Sequence, residues 1–310
     1  MSHTLDLIVQ IMLETLQFFL NVWHWIALGF LAAGLIREFA PKNALVKKLG
    51  GNDIGSLLKA SILGVFADFL PHSSLQLAVS LFDLGASRAS VITFMVSTPW
   101  LCIVESLILI SFTGTELFLF IVVMTMVVAI LGGLMIGQLE KKKIIESERH
   151  SLSKSMFHTR EPLRSTTFRD RILSALHYSY TFLKLAGKWL VIGFLGAGIA
   201  KVLIPMETIT RLLGYSLYSI PLALGIATIM EITLEASIPI ICSLYTLGAS
   251  PGVIFTLLMA GIVTDVTELG TISTILGRKT AIASVLIFSF LTLIFGYLIN
   301  ILACKTMIFN

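Results

Sequence analysis

WIALGFLAAGLIREFAPKNALVKKLG, residues Trp25 to Gly50, is written a second time in this chain as WLVIGFLGAGIAKVLIPMETITRLLG, residues Trp189 to Gly214. At a shift of 164 residues nine of the 26 columns are identical, among them Gly29/Gly193, Phe30/Phe194, Gly34/Gly198 and Pro41/Pro205. With a gap of one residue the match resumes at a shift of 163, where LFDLGAS (Leu81 to Ser87) meets LYTLGAS (Leu244 to Ser250). A chain that repeats itself on this scale is built from two copies of one unit, and in membrane proteins such duplication places the binding site at the repeat interface.

Composition says which solvent the two copies fold in. The 310 residues are 56% hydrophobic and 13% charged, with a mean hydropathy of +0.93. A soluble domain of this length carries roughly twice that charge. Phe18–Ile36, Leu117–Leu139, Trp189–Ile204 and Ala281–Ala303 are apolar runs near the length that spans a bilayer as a helix. The expected fold is therefore all-α and polytopic, with five helical segments per half and eight to ten transmembrane helices in total. The segments are 18 to 37, 54 to 70, 73 to 84, 88 to 112 and 116 to 138, then 184 to 204, 217 to 233, 236 to 247, 250 to 276 and 280 to 303. The second and third of each half are too short for comfortable crossings, which predicts broken or re-entrant helices. An odd number of crossings per half inverts one half against the other; short pairs that each make one broken crossing leave the halves parallel.

Charge divides the chain and orients it. Nine of the 22 lysines and arginines fall between Lys141 and Arg171, against four acids. The expected organisation is a first membrane repeat over 1–139, a basic loop over 140–172 and a second repeat over 173–310. Positive charge marks the cytoplasmic side, so the loop reads as a topology determinant in the plasma (inner) membrane of a prokaryote rather than a nucleic-acid site. Arg88, at the turn after LFDLGAS, reads as a surface anchor. Cys102, Cys242 and Cys304 are far apart with no CxxC spacing and read as small core residues.

Against this apolar background the acids stand out. No lysine or arginine occurs from Leu212 to Gly277, yet Glu231, Glu235, Asp265 and Glu268 lie there. At the 163-residue shift Asp68 falls on Glu231, His72 on Glu235 and Glu105 on Glu268. Each ionised group at the centre of a spanning helix costs about 2.5 to 3.5 kcal/mol. Pro71, Pro99, Pro221, Pro239, Gly261 and Gly270 interrupt the surrounding segments, and broken helices expose backbone groups and dipole ends to a ligand. Asp265 and Glu268, three apart, are expected on one helix face. The candidate ion or substrate site is Glu231, Glu235, Asp68, His72, Asp265, Glu268, Glu105, Ser73, Ser74 and Thr264, with Glu231, Glu235, Asp68 and His72 as metal ligands. Oxygen and imidazole suit a hard divalent cation or a proton relay. The competing reading leaves these acids neutral and hydrogen-bonded to backbone freed at the breaks.

GFLAAGLIREFAPKNALVKKLGGNDIGSLLKASILGV, LGASRASVITFMVSTPW and LGASPGVIFTLLMAG followed by IVTD resemble the predicted permease family that includes organoarsenical efflux permeases and copper or zinc efflux permeases. The resemblance covers about Trp23 to Leu302 and implies a duplicated polytopic permease. The family's cysteine-rich turn is missing: LPHSSLQ stands in its place, with His72, Ser73 and Ser74. The family's later Cys-containing turn and Gly-Pro-Ala-Thr-Asn motif are replaced by EITLEASIP and GIVTD. Thiophilic cargo prefers sulfur, so these departures point away from trivalent arsenic or cuprous ion.

The expected function is proton-coupled efflux of a metal ion or a small toxic solute, with the bilayer, the solute and protons as partners. The alternatives are an organoarsenical or other small-solute exporter without metal binding, a channel, or an intramembrane enzyme. There is no HExxH, GxGD or Walker motif and nothing that calls for a cofactor, which favours transport over catalysis. Association of copies is left open.

Overall fold

The computed structural model describes residues 2–39, 51–67, 77–79, 81–82, 85–98, 103–145, 168–230 and 234–306. Among them are eleven helices with described bounds, further helical residues at 77–79 and 81–82, and no strand. The first half contributes α1 (Ser2–Phe39), α2 (Ile54–Ala67), α3 (Arg88–Ser97) and α4 (Ile103–Lys141). The second contributes α5 (Phe168–Leu203), α6 (Met206–Leu213), α7 (Ser219–Met230), α8 (Leu234–Thr246), α9 (Pro251–Val263), α10 (Val266–Ile275) and α11 (Arg278–Thr306). The chain is a polytopic α-helical membrane protein. Among the described residues four helices are long and apolar enough to cross a bilayer: Thr4–Leu35, Ile103–Lys141, Ala186–Leu203 and Arg278–Cys304. The pair α9 and α10, bent by 46°, makes a fifth if counted as one broken span. The eight to ten crossings expected from the sequence include shorter segments, and among the described residues Ile54–Val65, Arg88–Ser97 and Ser219–Ile229 are apolar helices of only 10 to 17 residues.

Local sequence sets the punctuation. In LFDLGAS, Gly85 has φ 103°, its N–H bonds to the Phe82 carbonyl at 3.1 Å, and the Ala86 N–H bonds to the Leu81 carbonyl at 3.0 Å. In LYTLGAS, Gly248 has φ 97°, with the matching bonds to Tyr245 at 3.0 Å and Leu244 at 2.9 Å. This is the left-handed glycine cap that closes a helix by satisfying its last carbonyls. Both turns deliver an extended serine, Ser87 (φ −71°, ψ 157°) and Ser250 (φ −72°, ψ 153°), as the cap of α3 and α9. A second matched pair, Gly114 (φ 80°) and Gly277 (φ 103°), breaks α4 into 103–113 and 115–141 and separates α10 from α11.

The core of the assembly is the pairing of α1 with α5. A Cβ on Gly34 would collide with the Ser179 hydroxyl and the Ala175 carbonyl, and one on Gly198 with the Thr15 hydroxyl and the Ile11 carbonyl. Each residue of the first contact lies 164 positions from its counterpart in the second, so exchanging the halves turns one contact into the other. Residue numbers rise on one helix as they fall on the other. Glu38 pairs with Arg171 at 3.3 Å, Phe30 packs on Phe182 with centroids 4.9 Å apart, Phe19 on Phe194 at 5.9 Å, and Glu14 pairs with Lys201 at 2.7 Å. Helices α1 and α5 therefore run antiparallel. In a bilayer such contacts come from close backbone approach at small residues, since lipid offers no hydrophobic gain for helix association.

Helices α7 and α8 make a shallower excursion. The chain enters α7 beside Leu217, whose carbonyl accepts from the Tyr297 hydroxyl. It leaves α8 at Gly248 and Ser250, where the Ser250 N–H bonds to the Leu213 carbonyl at 2.9 Å. Asn300, one turn from Tyr297, accepts from the Gly252 N–H at 2.8 Å, so entry and exit lie at one end of the bundle. Helix α8 runs alongside α5 in the same direction, with Ala236 at Gly193, Ile240 at Gly196, and the Ser243 hydroxyl donating to the Ala197 carbonyl at 3.1 Å. The 12 residues of α7 extend about 18 Å, little more than half of the hydrocarbon core.

Candidate functional site

Five of the ten sequence-predicted site residues, Asp68, His72, Ser73, Ser74 and Glu231, lie outside the described residues. Of the other five, Thr264 and Asp265 stand at the break between α9 and α10, and the three glutamates share one structural position. Glu105, Glu235 and Glu268 each sit in the first turn of a helix, α4, α8 and α10 respectively. The first turn of a helix has N–H groups with no intrahelical partner and carries the positive end of the dipole. A carboxylate there gains about 0.3 to 1 kcal/mol at an exposed site, and up to about 2 kcal/mol where partly buried. Glu105 is 3% exposed, while Glu235 and Glu268 are half-buried.

The break before α10 is described in full. Helix α9 ends at Thr264, whose N–H and hydroxyl both donate to the Ala260 carbonyl, at 2.9 and 2.7 Å. Asp265 then caps α10: its Oδ1 accepts the Glu268 N–H at 3.3 Å and its carbonyl accepts the Leu269 N–H at 2.9 Å. Asp265 and Glu268 thus stand in the capping-box order, Asp as the cap and Glu three residues on. Their spacing predicts one face of one helix. The structure instead breaks the predicted 250–276 helix at Thr264–Asp265, leaving Asp265 as the cap outside the helix that carries Glu268, because an aspartate side chain competes with the helix for the N–H groups that follow it.

Two matched glycines hold the other two glutamates in place. A Cβ on Gly29 would lie 2.8 Å from Val104 Cα, beside Glu105. One on Gly193 would lie 2.5 Å from the Ala236 carbonyl and 2.9 Å from Ala236 Cα, beside Glu235. The first helix of each half therefore receives, at its GFLAAG or GFLGAG face, the opening turn of a helix that carries a glutamate. Within α8, Pro239 cannot supply the N–H that would close on the Glu235 carbonyl. Among the described residues no three of His, Cys, Asp and Glu converge as a metal site, and of the four candidate ligands only Glu235 is described. Cys242 and Cys304 are free thiols, the first buried and the second exposed.

The structure also brings in a residue the sequence misassigns. Arg88, expected as a surface anchor, is 2% exposed. Its NH1 pairs with Glu140 Oε1 at 2.7 Å, its Nε donates to the Leu276 carbonyl at 3.1 Å, and its guanidinium lies 5.5 Å from the centre of the Phe82 ring. Asn52 donates to the other Glu140 oxygen at 3.4 Å, and the Ser87 and Ser90 hydroxyls donate to the Gly51 carbonyl at 3.0 and 2.7 Å. One guanidinium thus ties α3, the end of α4 and the α10–α11 turn together, across the two halves. Burial wins because the fork meets two acceptors at once, which an ion at a surface does not. The available signal was asymmetry: at the 163-residue shift Arg88 matches Pro251, a cation where the other half has none.

Broken spans, carboxylates at their openings and a close antiparallel pair of leading helices are a transporter's parts. A family profile described as "Predicted permease" matches residues 8–301. The chain belongs to this family. The permease is also similar to UPF0718 protein MJ0584 of Methanocaldococcus jannaschii, with 26% identity over an alignment of 352 residues that covers 95% of this chain and 96% of the relative. No solved structure matches it. The match over nearly the whole chain makes this protein a multi-pass membrane permease.

Proposed function

We propose that the permease is a secondary transporter whose two halves are inverted repeats, 1–139 and 173–310, that exchange access to a carboxylate-lined site between them. The observation that carries this reading is the reciprocal α1–α5 contact. Gly34 on Ala175 and Ser179 exchanges with Gly198 on Ile11 and Thr15, and the two helices run antiparallel. A unit and its inverted copy have two nearly equivalent packings, one open to each side, which is the physical basis of alternating access. The basic segment 140–172 is cytoplasmic in this reading, in the plasma membrane of a prokaryote.

Glu235 and Glu105, each received at a matched glycine of a leading helix, are the described part of the proposed site; Glu231, Asp68, His72, Ser73 and Ser74 complete it. Asp265, Glu268 and Thr264 line the break between α9 and α10. Oxygen donors with a single imidazole favour a hard divalent cation over a thiophilic one, and carboxylates in a low dielectric exchange protons for a cation at modest cost. The proposed reaction is proton-coupled efflux of such a cation. Export of a small toxic solute without metal binding, as the family resemblance implies, is the second reading.

The test is uptake into everted vesicles under an imposed proton gradient, with manganese, zinc and a trivalent methylarsenical offered in parallel. Saturable, gradient-dependent metal uptake that Glu235→Gln or Glu105→Gln abolishes supports the first reading. Arsenical uptake that both variants retain refutes it and establishes the second.

A further inference from the structure

The two halves pack alike beside their glycine turns. A Cβ on Gly133 of α4 would collide with the Thr93 hydroxyl of α3, and one on Gly296 of α11 with the Thr256 hydroxyl of α9. Both members of the contact are displaced by 163 residues, as are the left-handed glycines Gly114 and Gly277. The opening residues of α3 and α9, Arg88 and Pro251, therefore occupy equivalent places, and so do Glu140 and Ala303.

What stands in those places differs. At the end of the bundle where α4 stops, Arg88 Nε reaches across the halves to the Leu276 carbonyl at 3.1 Å, and Leu276 is 1% exposed. The counterpart of the Leu276–Gly277 turn, Thr113–Gly114, lies at the other end, separated by the 115–141 length of α4, about 40 Å of helix. There Pro251 has no side-chain donor and Ala303 no carboxylate. Gly114 is exposed, and a Cβ on it would meet nothing within 4 Å among the described residues.

The clasp is also built to part. Arg88 and Glu140, 2.7 Å apart, both belong to helices of the first half, so the buried charge travels with its counter-ion. On the other side, the Leu276 carbonyl also accepts from the Thr280 hydroxyl at 3.0 Å. When Nε leaves Leu276, the guanidinium keeps an acceptor and the carbonyl keeps a donor. The separation thus escapes the penalty of a stranded buried group. A bond from a charged donor is worth about 10- to 100-fold in an equilibrium, enough to set a resting state and little enough to break in each cycle.

We infer that Arg88 is a one-sided latch: its bond to Leu276 holds the Glu140 end of the permease shut at rest, and that end opens only when the bond parts. The inference rests on the proposed movement of one half against the other.

Double electron–electron resonance on the full chain in lipid nanodiscs tests it, in a background lacking Cys102, Cys242 and Cys304. One spin-label pair, Lys142→Cys with Arg278→Cys, spans the halves at the clasped end; a second, Glu116→Cys with Tyr218→Cys, spans them at the opposite end, all four positions being exposed. Arg88→Met/Glu140→Met removes the latch and its counter-ion together, a replacement that buried ion pairs commonly tolerate without loss of stability. Arg88→Lys keeps the charge beside Glu140 but lacks Nε. A short distance across the clasped end is expected in the background. In both variants the ratio of long to short distances there is expected to rise about tenfold, with the thermal transition retained. An unchanged clasped-end distance in the folded double variant shows an anchor only and overturns the latch. The second pair reads the movement separately. Shortening at the opposite end is expected as the clasped end lengthens; a clasped end that lengthens while the opposite end stays fixed leaves the latch standing and refutes alternating access.

Discussion

A single side chain's role in this permease depends on what its neighbours leave unsatisfied. Arg88 carries a full charge at 2% exposure because Glu140 and the Leu276 carbonyl both accept from it. Removing one member of a buried ion pair strands the other, at about 3 to 5 kcal/mol. Glu140 keeps 20% exposure, so the lower end applies: Arg88→Ala is expected to cost about 3 kcal/mol in thermal unfolding in lipid nanodiscs, and Arg88→Lys to recover only part of it. Asp53 shows the opposite regime. It is exposed and caps α2, accepting from the Ser56 hydroxyl at 2.7 Å and the Ser56 N–H at 3.1 Å. These bonds hold its carboxyl below the usual 3.8. A depressed folded value means that the cap's contribution is present above the unfolded value and is lost as pH falls through the folded one. Hydrogen exchange at Ser56 and Leu57 should therefore quicken on acidification below about 3.8, and Asp53→Asn should remove that dependence.

Elements in this fold are defined by where they stop. The sequence marks α9 and α10 as one helix from 250 to 276, and the structure bends them by 46° at Thr264–Asp265 because the Asp265 carboxylate takes the Glu268 N–H. Loss of this cap in Asp265→Ala is expected to cost about 1 kcal/mol, read as faster hydrogen exchange in the first turn of α10 with α11 unchanged. At the leading helices the constraint is steric. A side chain at Gly193 meets the backbone of Ala236, not a flexible tip that can swing aside. Gly193→Val is expected to destabilise by about 1 to 3 kcal/mol and to displace Glu235, whereas Gly225→Ala, with open space around it, is expected to be nearly silent in both thermal stability and transport.

For the molecule as a whole, the proposed inversion of the halves fixes which side of the membrane each end of the bundle faces. If the halves are inverted, Lys142, which follows α4 at the end where Arg88 meets Glu140, and Glu207, in α6 beside the α7 entry, face opposite sides of the membrane. An impermeant maleimide should then label Lys142→Cys only in everted vesicles and Glu207→Cys only in right-side-out ones. Labelling of both from one side would refute the inverted arrangement, whatever the substrate proves to be.

The sequence by itself determined the solvent, the helical class, the four long apolar runs and the correspondence of Gly85 with Gly248 and of Gly29 with Gly193. These follow from composition, from run length and from the few backbone conformations that glycine alone takes cheaply. It also located Glu105, Glu235 and Glu268 near breaks, since prolines and glycines interrupt the same segments. Only the tertiary structure decided that all three occupy opening turns and that Asp265 is a cap. It alone showed Arg88 buried across the halves. Those features depend on which face of a helix meets which neighbour, and a linear pattern specifies a face without specifying what will lie against it.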